Sequence, residues 1–321
     1  MRDKELLPEA GKYYKGNLHS HTIVSDGIMT PEQSKRAYKE RGYQILAFTD
    51  HEIYRNHQEL DDGEFITLPA LEVSLNERSK DRLLPEDKTY HINFYDTHPQ
   101  CRTEEELENL LPKVCYQDKE GINAYLERMK DSGFLACYNH PYWSMQTYED
   151  YKDLRHLWGM EIYNHGCELD GMYGYHPQAY DEMLRCGMGL RCLATDDNHN
   201  QYPFGDPLCD SFGGCIMVKA QELTHGAVME ALIKGNFYST MGPEIYRLYI
   251  EKDELIVKTS PVKKIYVITA GRNCPQKTAP SGEEISCARF TLSGTEGYIR
   301  VQIQDVNGKY ANSNAYFLEA E

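Results

Sequence analysis

The chain lacks any apolar run that approaches the ~20 residues needed to cross a bilayer, so no membrane span is expected. Positive charge is scarce: 34 lysines and arginines stand against 50 aspartates and glutamates, a net charge of −16. That balance opposes binding to long nucleic acids, which need a cationic footprint. No Cys-x-x-Cys pair occurs among the ten scattered cysteines. A disulfide framework would belong to a shorter, secreted chain, and these read as reduced, mostly buried thiols. Missing too are a Gly-rich phosphate loop, a Gly-x-Ser-x-Gly elbow and a cysteine in an activating context. The charged start Met1–Glu5 has no apolar stretch behind it, so no signal peptide is read and a cytoplasmic location is expected.

What is present supports a substantial core. The 321 residues are 40% hydrophobic and suit two domains, or one large barrel with an appendage. The 25 tyrosines read as packing and surface.

The organising stretch is Asn17-Leu18-His19-Ser20-His21, followed by Asp26-Gly27. Alternate side chains of an extended segment share a face, so His19 and His21 can meet one metal ion, and Asp26 adds a hard oxygen ligand nearby. Thr30-Pro31-Glu32-Gln33 is a capping box with proline at the first helical position, and that helix should stop at Gly42. Tyr43–Thr49 reads as a buried strand delivering Asp50-His51. A strand over 65–71 delivers Glu72, and Tyr90–Tyr95, carrying His91, is a further extended segment. A helix over 120–132 precedes Phe134–Tyr138 and Asn139-His140-Pro141. Met160–Tyr163 is another strand, and a helix over Pro177–Cys186 precedes Leu190–Ala194 and Asp196-Asp197-Asn198-His199. The last unit pairs Cys215–Val218 with a helix from Thr224 to Lys234, stopped by Gly235. This makes about seven strand–helix units, with His, Asp and Glu recurring at strand carboxyl ends, the face on which parallel α/β barrels place their active sites. After Gly242-Pro243 the pattern changes to short alternating runs with turns such as Asn307-Gly308. The expected division is 1–243 and 244–321, the second part a small antiparallel β-sandwich with a structural or dimerising role.

The rim residues are His19, His21, Asp26, His51, Glu72, His91, His140, Asp197 and His199, which include six of the twelve histidines. With Thr49-Asp50-His51, Ala70-Leu71-Glu72, Asn139-His140-Pro141 and Asp197-Asn198-His199, they resemble in order and spacing the PHP (polymerase and histidinol phosphatase) family of metal-dependent phosphoesterases over residues 14–240. The resemblance implies a distorted (β/α)7 barrel holding two to three divalent ions, for which manganese, zinc and iron are all suitable. It implies that His19, His21, Glu72 and Asp197 hold one ion, that Glu72 bridges to a second held by His91 and His140, and that Asp26, His51 and His199 hold a third. It also implies hydrolysis of a phosphate ester by a metal-activated hydroxide, with Asp26, His51, Glu72, Asp197 and His199 in the catalytic set.

Arg55, Arg78 and Arg191 are candidates to clamp a phosphate, and Arg55 is favoured because it follows His51. Asp50 and Glu161 read as carboxylates that orient the ligands. His165 and His176 flank a Gly- and Tyr-rich loop that could overhang the site. The negative charge favours a small phosphorylated substrate, and a homo-oligomer is compatible with the sequence. A metal-dependent amidohydrolase and a metal-bound, non-catalytic scaffold are the alternative readings.

Overall fold

The computed structural model describes residues 3–77 and 88–318. The chain begins with β1 (Lys4–Glu5), β2 (Lys12–Asn17), α1 (Pro31–Glu40), β3 (Ile45–Phe48), β4 (Ile66–Asn76) and β5 (Thr89–Asp96). Helices α2 (Glu104–Glu108) and α3 (Lys119–Asp131) lead to β6 (Phe134–Tyr138), α4 (Tyr148–Tyr151) and β7 (Gly159–Asn164). Then come α5 (His165–Leu169), α6 (Pro177–Arg185), β8 (Arg191–Thr195), β9 (Cys215–Ala220), α7 (His225–Lys234) and β10 (Phe237–Thr240). The remaining elements are strands: β11 (Ile245–Glu251), β12 (Glu254–Val262), β13 (Lys264–Thr269), β14 (Gln276–Thr278), β15 (Ile285–Thr291), β16 (Tyr298–Gln304), β17 (Tyr310–Ser313) and β18 (Tyr316–Phe317).

Local chemistry sets several boundaries. Thr30 Oγ accepts the Gln33 N–H at 3.3 Å while Gln33 Oε1 accepts the Thr30 N–H at 2.8 Å, closing the capping box ahead of α1. Gly235 ends α7 with φ 76°, a left-handed conformation that only glycine adopts freely. In β3 every residue is buried, because both faces are covered. Ile45 and Ala47 pack with Leu68, Ile216 and α7, while Leu46 and Phe48 pack with Tyr38, Tyr43 and Phe65.

The main sheet runs β14-β13-β16-β17-β10-β9-β2-β3-β4-β5-β6-β7-β8, and a second, antiparallel sheet runs β1-β11-β12-β15. Parallel ladders join β2 to β3, β3 to β4, β6 to β7 and β7 to β8. The pairs β4·β5, β5·β6, β2·β9 and β9·β10 are antiparallel. The sheet is therefore mixed, where the sequence pattern suggested parallel units throughout. Among the described residues no ladder joins β8 back to β2 or β9, so the ladders leave the expected barrel open. An isolated bridge, Ser20–Asn198, links the segment after β2 to the segment after β8. The mixing comes from β5, which reverses along β4 and β6, and from β9, which is antiparallel to β2 and β10.

The C-terminal strands form a two-layer stack with Leu248, Ile250, Leu255, Val257, Ile265, Val267, Val301 and Ile303 between the layers. They are continuous with the rest. Thr240 of β10 pairs with Ala311 of β17, and Lys4 of β1 pairs with Ile250 of β11. Arg300, fully buried, donates from Nε and Nη2 to the Asp181 carboxylate of α6 at 2.8 and 2.7 Å. Asn314 donates to the carbonyls of Gly235 and Phe237 and accepts the Cys192 N–H. Four of the ten cysteines (Cys137, Cys167, Cys192 and Cys215) are buried and four are exposed, fewer inside than expected.

Candidate metal centre

Beyond β2 the chain stays extended and is stitched to the segment after β8. The Asp197 N–H donates to the His19 carbonyl and the His21 N–H to the Asn198 carbonyl, both at 3.0 Å. Both imidazoles are fully buried on one side of this segment, with their Nε2 atoms 3.1 Å apart. Asp197 Oδ1 lies 3.0 Å from each Nε2. Asp197 sits at φ 54° and His140 at φ 23°, backbone states that side-chain-bearing residues rarely adopt and that cluster where function enforces them.

Glu72, on β4 and 1% exposed, lies at the centre. Its Oε1 is 3.1 Å from His91 Nδ1 and 3.5 Å from His140 Nε2. Its Oε2 is 3.4 Å from both His19 Nε2 and His21 Nε2 and 3.2 Å from His51 Nδ1. The register explains His91: Ser74 pairs with His91 and Glu72 with Asn93, so Glu72 and His91 are diagonal neighbours on one face. Asp26, half exposed at the mouth, lies 3.4 Å from His199 Nε2 and 3.6 Å from both His21 Nδ1 and His51 Nε2.

All nine residues singled out in the sequence thus converge. The ligand-capable atoms of His19, His21, Glu72 and Asp197 lie within 4.8 Å of one another, as do those of His21, Asp26, His51 and His199, and those of His51, Glu72 and His91. His140 joins through Glu72 and through Asp197 Oδ2 at 3.7 Å.

Around them stands a shell of orienting groups. Glu161 Oε1 is 2.6 Å from His19 Nδ1 and also accepts the Thr195 hydroxyl at 2.7 Å. Asn164 Nδ2 donates at 3.0 Å both to Glu161 Oε2 and to Asp197 Oδ2. Asn139 Nδ2 donates to Glu72 Oε1 at 2.8 Å. Asn164 and Asn139 were not identified as orienting groups, since asparagines at strand ends carry no distinguishing spacing. Asp50, expected to orient His51 or another ligand, bonds neither through its side chain: its carboxylate accepts from Thr22 and Ser25, both backbone and hydroxyl, and so shapes the loop that carries Asp26. Asp196 accepts the Tyr38 hydroxyl and the N–H groups of Phe212, Gly213 and Gly214, which separates its role from that of Asp197.

At Glu72, Asp197, His19 and His21 burial opposes charge, yet the neighbouring charges outweigh it. Burial raises the Glu72 carboxyl, but His91, His19 and His140 hold it well below its usual value. The same competition, with His19 foremost, holds Asp197 well down. Burial lowers His19, but Asp197, Glu72 and Glu161 drive it well up. His21, against the same opposition from burial, is pushed up to about 9 by Asp197 and Glu72. His51 goes the other way, lowered by burial and by His21 and His91. The upward push on His19 and His21 answers the negative charge of Asp197 and Glu72. A divalent cation meets the same demand and leaves the imidazoles neutral as ligands. His51 Nδ1, buried and without a hydrogen-bond partner, fits that role. Mixed imidazole and carboxylate donors suit zinc, manganese or iron.

A cleft of about 470 Å³ opens over Asp26, His51 and His91, bordered by Ser25, Glu52, Ser74 and Asn76. Among the described residues no lysine or arginine pairs with Asp26, Glu72 or Asp197. Arg191 donates instead to the Ile233 carbonyl at the end of α7. Arg55 is exposed, its backbone bridging Ala70. Arg78 lies outside the described residues. His165 bonds Tyr163 and packs on Gly213, while His176 is buried with Nε2 unpartnered. No helix among the described residues is long and apolar enough to cross a membrane.

No protein-family model and no curated protein matches this sequence. Solved structures do align with it. A two-domain protein from Bacteroides vulgatus, described as containing a predicted PHP-like metal-dependent phosphoesterase, aligns at 14% identity over 99% of this chain and 98% of that one, with a TM-score of 0.47. An amidohydrolase from Chromobacterium violaceum with bound sulfate aligns at 16% identity over 60% of this chain and 93% of that one, with a TM-score of 0.37. The lesion-specific endonuclease EndoQ from Pyrococcus furiosus aligns at 12% identity over 69% of this chain and 56% of that one, also at 0.37. Likenesses this distant do not decide the chemistry.

Proposed function

We propose that this chain is a metal-dependent hydrolase of phosphate esters with a small substrate. The observation that carries the reading is Glu72, whose two oxygens face two different sets of histidines, His91 and His140 on one side and His19, His21 and His51 on the other. A buried carboxylate surrounded in this way would serve two ions at once. We assign His19, His21, Glu72 and Asp197 to one ion, Glu72, His91 and His140 to a second, and Asp26, His51 and His199 to a third. Bound there, the ions supply Lewis-acid charge and activate water near neutral pH.

The protein's own groups do the positioning. Glu161 holds His19 with Nε2 turned inward, and Asn164 holds Asp197 against rotation. Burial pushes the Asp26 carboxyl up, but His199, His21 and His51 hold it well below its usual range, so at the mouth of the cleft it stands as an anionic ligand. Arg55, exposed four residues beyond His51, is the guanidinium we assign to the phosphate. The net charge of −16 favours a small ester over a long polyanion, and ten free cysteines favour a cytoplasmic setting.

The test is product identity. The metal-loaded protein should release inorganic phosphate from a panel of small phosphomonoesters, and Asp197→Asn should lose both that release and part of the bound metal. Release of an amine or a carboxylic acid from amide substrates, with no phosphate from any ester, would transfer the site to amide hydrolysis.

A further inference from the structure

The rim beside His91 and His140 carries aromatic rings that the hydrolytic chemistry leaves unused. Trp143 lies 5.3 Å from the His91 ring and 5.1 Å from the His140 ring, centroid to centroid, yet remains 38% exposed. Tyr142, beside it and 49% exposed, meets Tyr173 edge to face at 5.0 Å. Tyr173 is 68% exposed and sits at φ 45°, a left-handed conformation that bulky side chains avoid. An unfavourable backbone state that leaves a large ring in water contributes nothing to folding, and it persists only where the surroundings enforce it.

Those surroundings are on both sides of the chain. The Asn164 N–H donates to the Gly174 carbonyl, and the Gly174 N–H to Glu168 Oε2. Tyr175 stacks on Tyr310 of β17 at 4.7 Å and 16° between planes, and its hydroxyl donates to Asn312 Oδ1 at 3.1 Å. The C-terminal strands thereby hold the loop that presents Tyr173.

We propose that Trp143, Tyr142 and Tyr173 form a stacking wall for a flat aromatic ring in the organic part of the substrate. The ester is then one whose alcohol bears an aromatic ring, an assignment that rests on the phosphoester reading. The three residues of the wall carry no charge, and each offers a ring face with one polar atom at its edge, the two Tyr hydroxyls and the Trp indole N–H. A polyol phosphate would require hydrogen-bonding groups matched to its hydroxyls.

The experiment is calorimetric titration of manganese-loaded protein with 2-phenylethylphosphonate and with 2-cyclohexylethylphosphonate. These non-hydrolysable anions share their charge and differ in having a flat or a puckered ring. The phenyl compound should bind about tenfold more tightly, and the ratio should fall towards one in Trp143→Ala. Trp143→Leu keeps bulk against His91 and His140 and should lose the preference too, which separates a lost ring from a disturbed fold. Equal affinity in the wild type, no binding of either compound, or a preference that survives both substitutions overturns the wall. The corresponding phosphate esters separate the two readings. A binding preference with no phosphate release keeps the wall and removes the phosphoesterase, while release from both esters at equal kcat/KM with equal phosphonate affinity does the reverse.

Discussion

His19 Nδ1 and Glu161 Oε1 are 2.6 Å apart and both side chains are fully buried, so the imidazole is held with Nε2 facing His21, Glu72 and Asp197. A carboxylate behind a histidine fixes its tautomer and raises its basicity as a ligand, and removing such a partner costs roughly 10–100-fold in metal affinity. Glu161→Gln should therefore weaken binding of the ion at His19 by about that factor, read by competition with a chromophoric chelator. Unchanged affinity would show that the pair serves only packing.

Glu72 is predicted to matter for two ions at once, since each of its oxygens faces its own set of histidines. Glu72→Gln should lower the metal content of the purified protein by more than one ion per chain, as measured by elemental analysis. His91→Ala should remove no more than one. Equal losses in the two variants would place Glu72 at a single ion.

The Arg300–Asp181 pair is buried between β16 and α6 and bonded through two nitrogens. Removing one partner leaves an uncompensated charge, which costs about 3–5 kcal/mol. Arg300→Met should lower the urea midpoint by a corresponding amount, while Arg300→Met with Asp181→Leu should recover much of it. If the single variant is as stable as the wild type, the pair is not the pin between these layers.

A chain ending at residue 243 should fail to give a cooperative unfolding transition. It would strip β17 from β10 and the Asn314 bonds from Gly235, Phe237 and Cys192, and leave Tyr238 without its buried neighbours. A soluble truncated chain with sharp thermal unfolding would instead establish residues 1–243 as a separate domain.

Asp150 gives a prediction in acid. Burial pushes its carboxyl up, but Lys88 Nζ at 2.6 Å and the Thr147 donors hold it below its ordinary value. With the folded value depressed, this contribution is fully present above the unfolded carboxyl's ~3.9 and is lost as the pH falls through the folded value. Asp150→Asn should thus be clearly destabilised at neutral pH and approach the wild type in strong acid, as read by urea denaturation at a series of pH values. A gap that is constant with pH would exclude the charge as its source.

The ligand chemistry was legible because it is local. His19 and His21 announce themselves by a spacing of two, and Asp26, His51, His140, Asp197 and His199 each follow a strand-like run. His91 counts among the rim residues in the sequence, but its place beside Glu72 depends on β5 reversing along β4, a long-range pairing that alternation within one segment does not encode. The same reversal, together with β9 running antiparallel to β2, turns the expected run of parallel units into a mixed sheet. Asn164, Asn139 and Asp50 act through partners distant in sequence, so their residue types alone could not reveal what they hold. Arg300 reads as one more alternating strand residue until the fold brings it to Asp181.

The central claim is that these nine side chains hold ions that hydrolyse a phosphate ester, and the most direct test is phosphate release before and after chelation. The account predicts release that disappears with the metal, returns when one divalent ion is restored, and stays absent in Glu72→Gln under the same reloading. Release that persists in the demonstrably metal-free protein, or a fully metal-loaded protein that releases no phosphate from any ester, would contradict it.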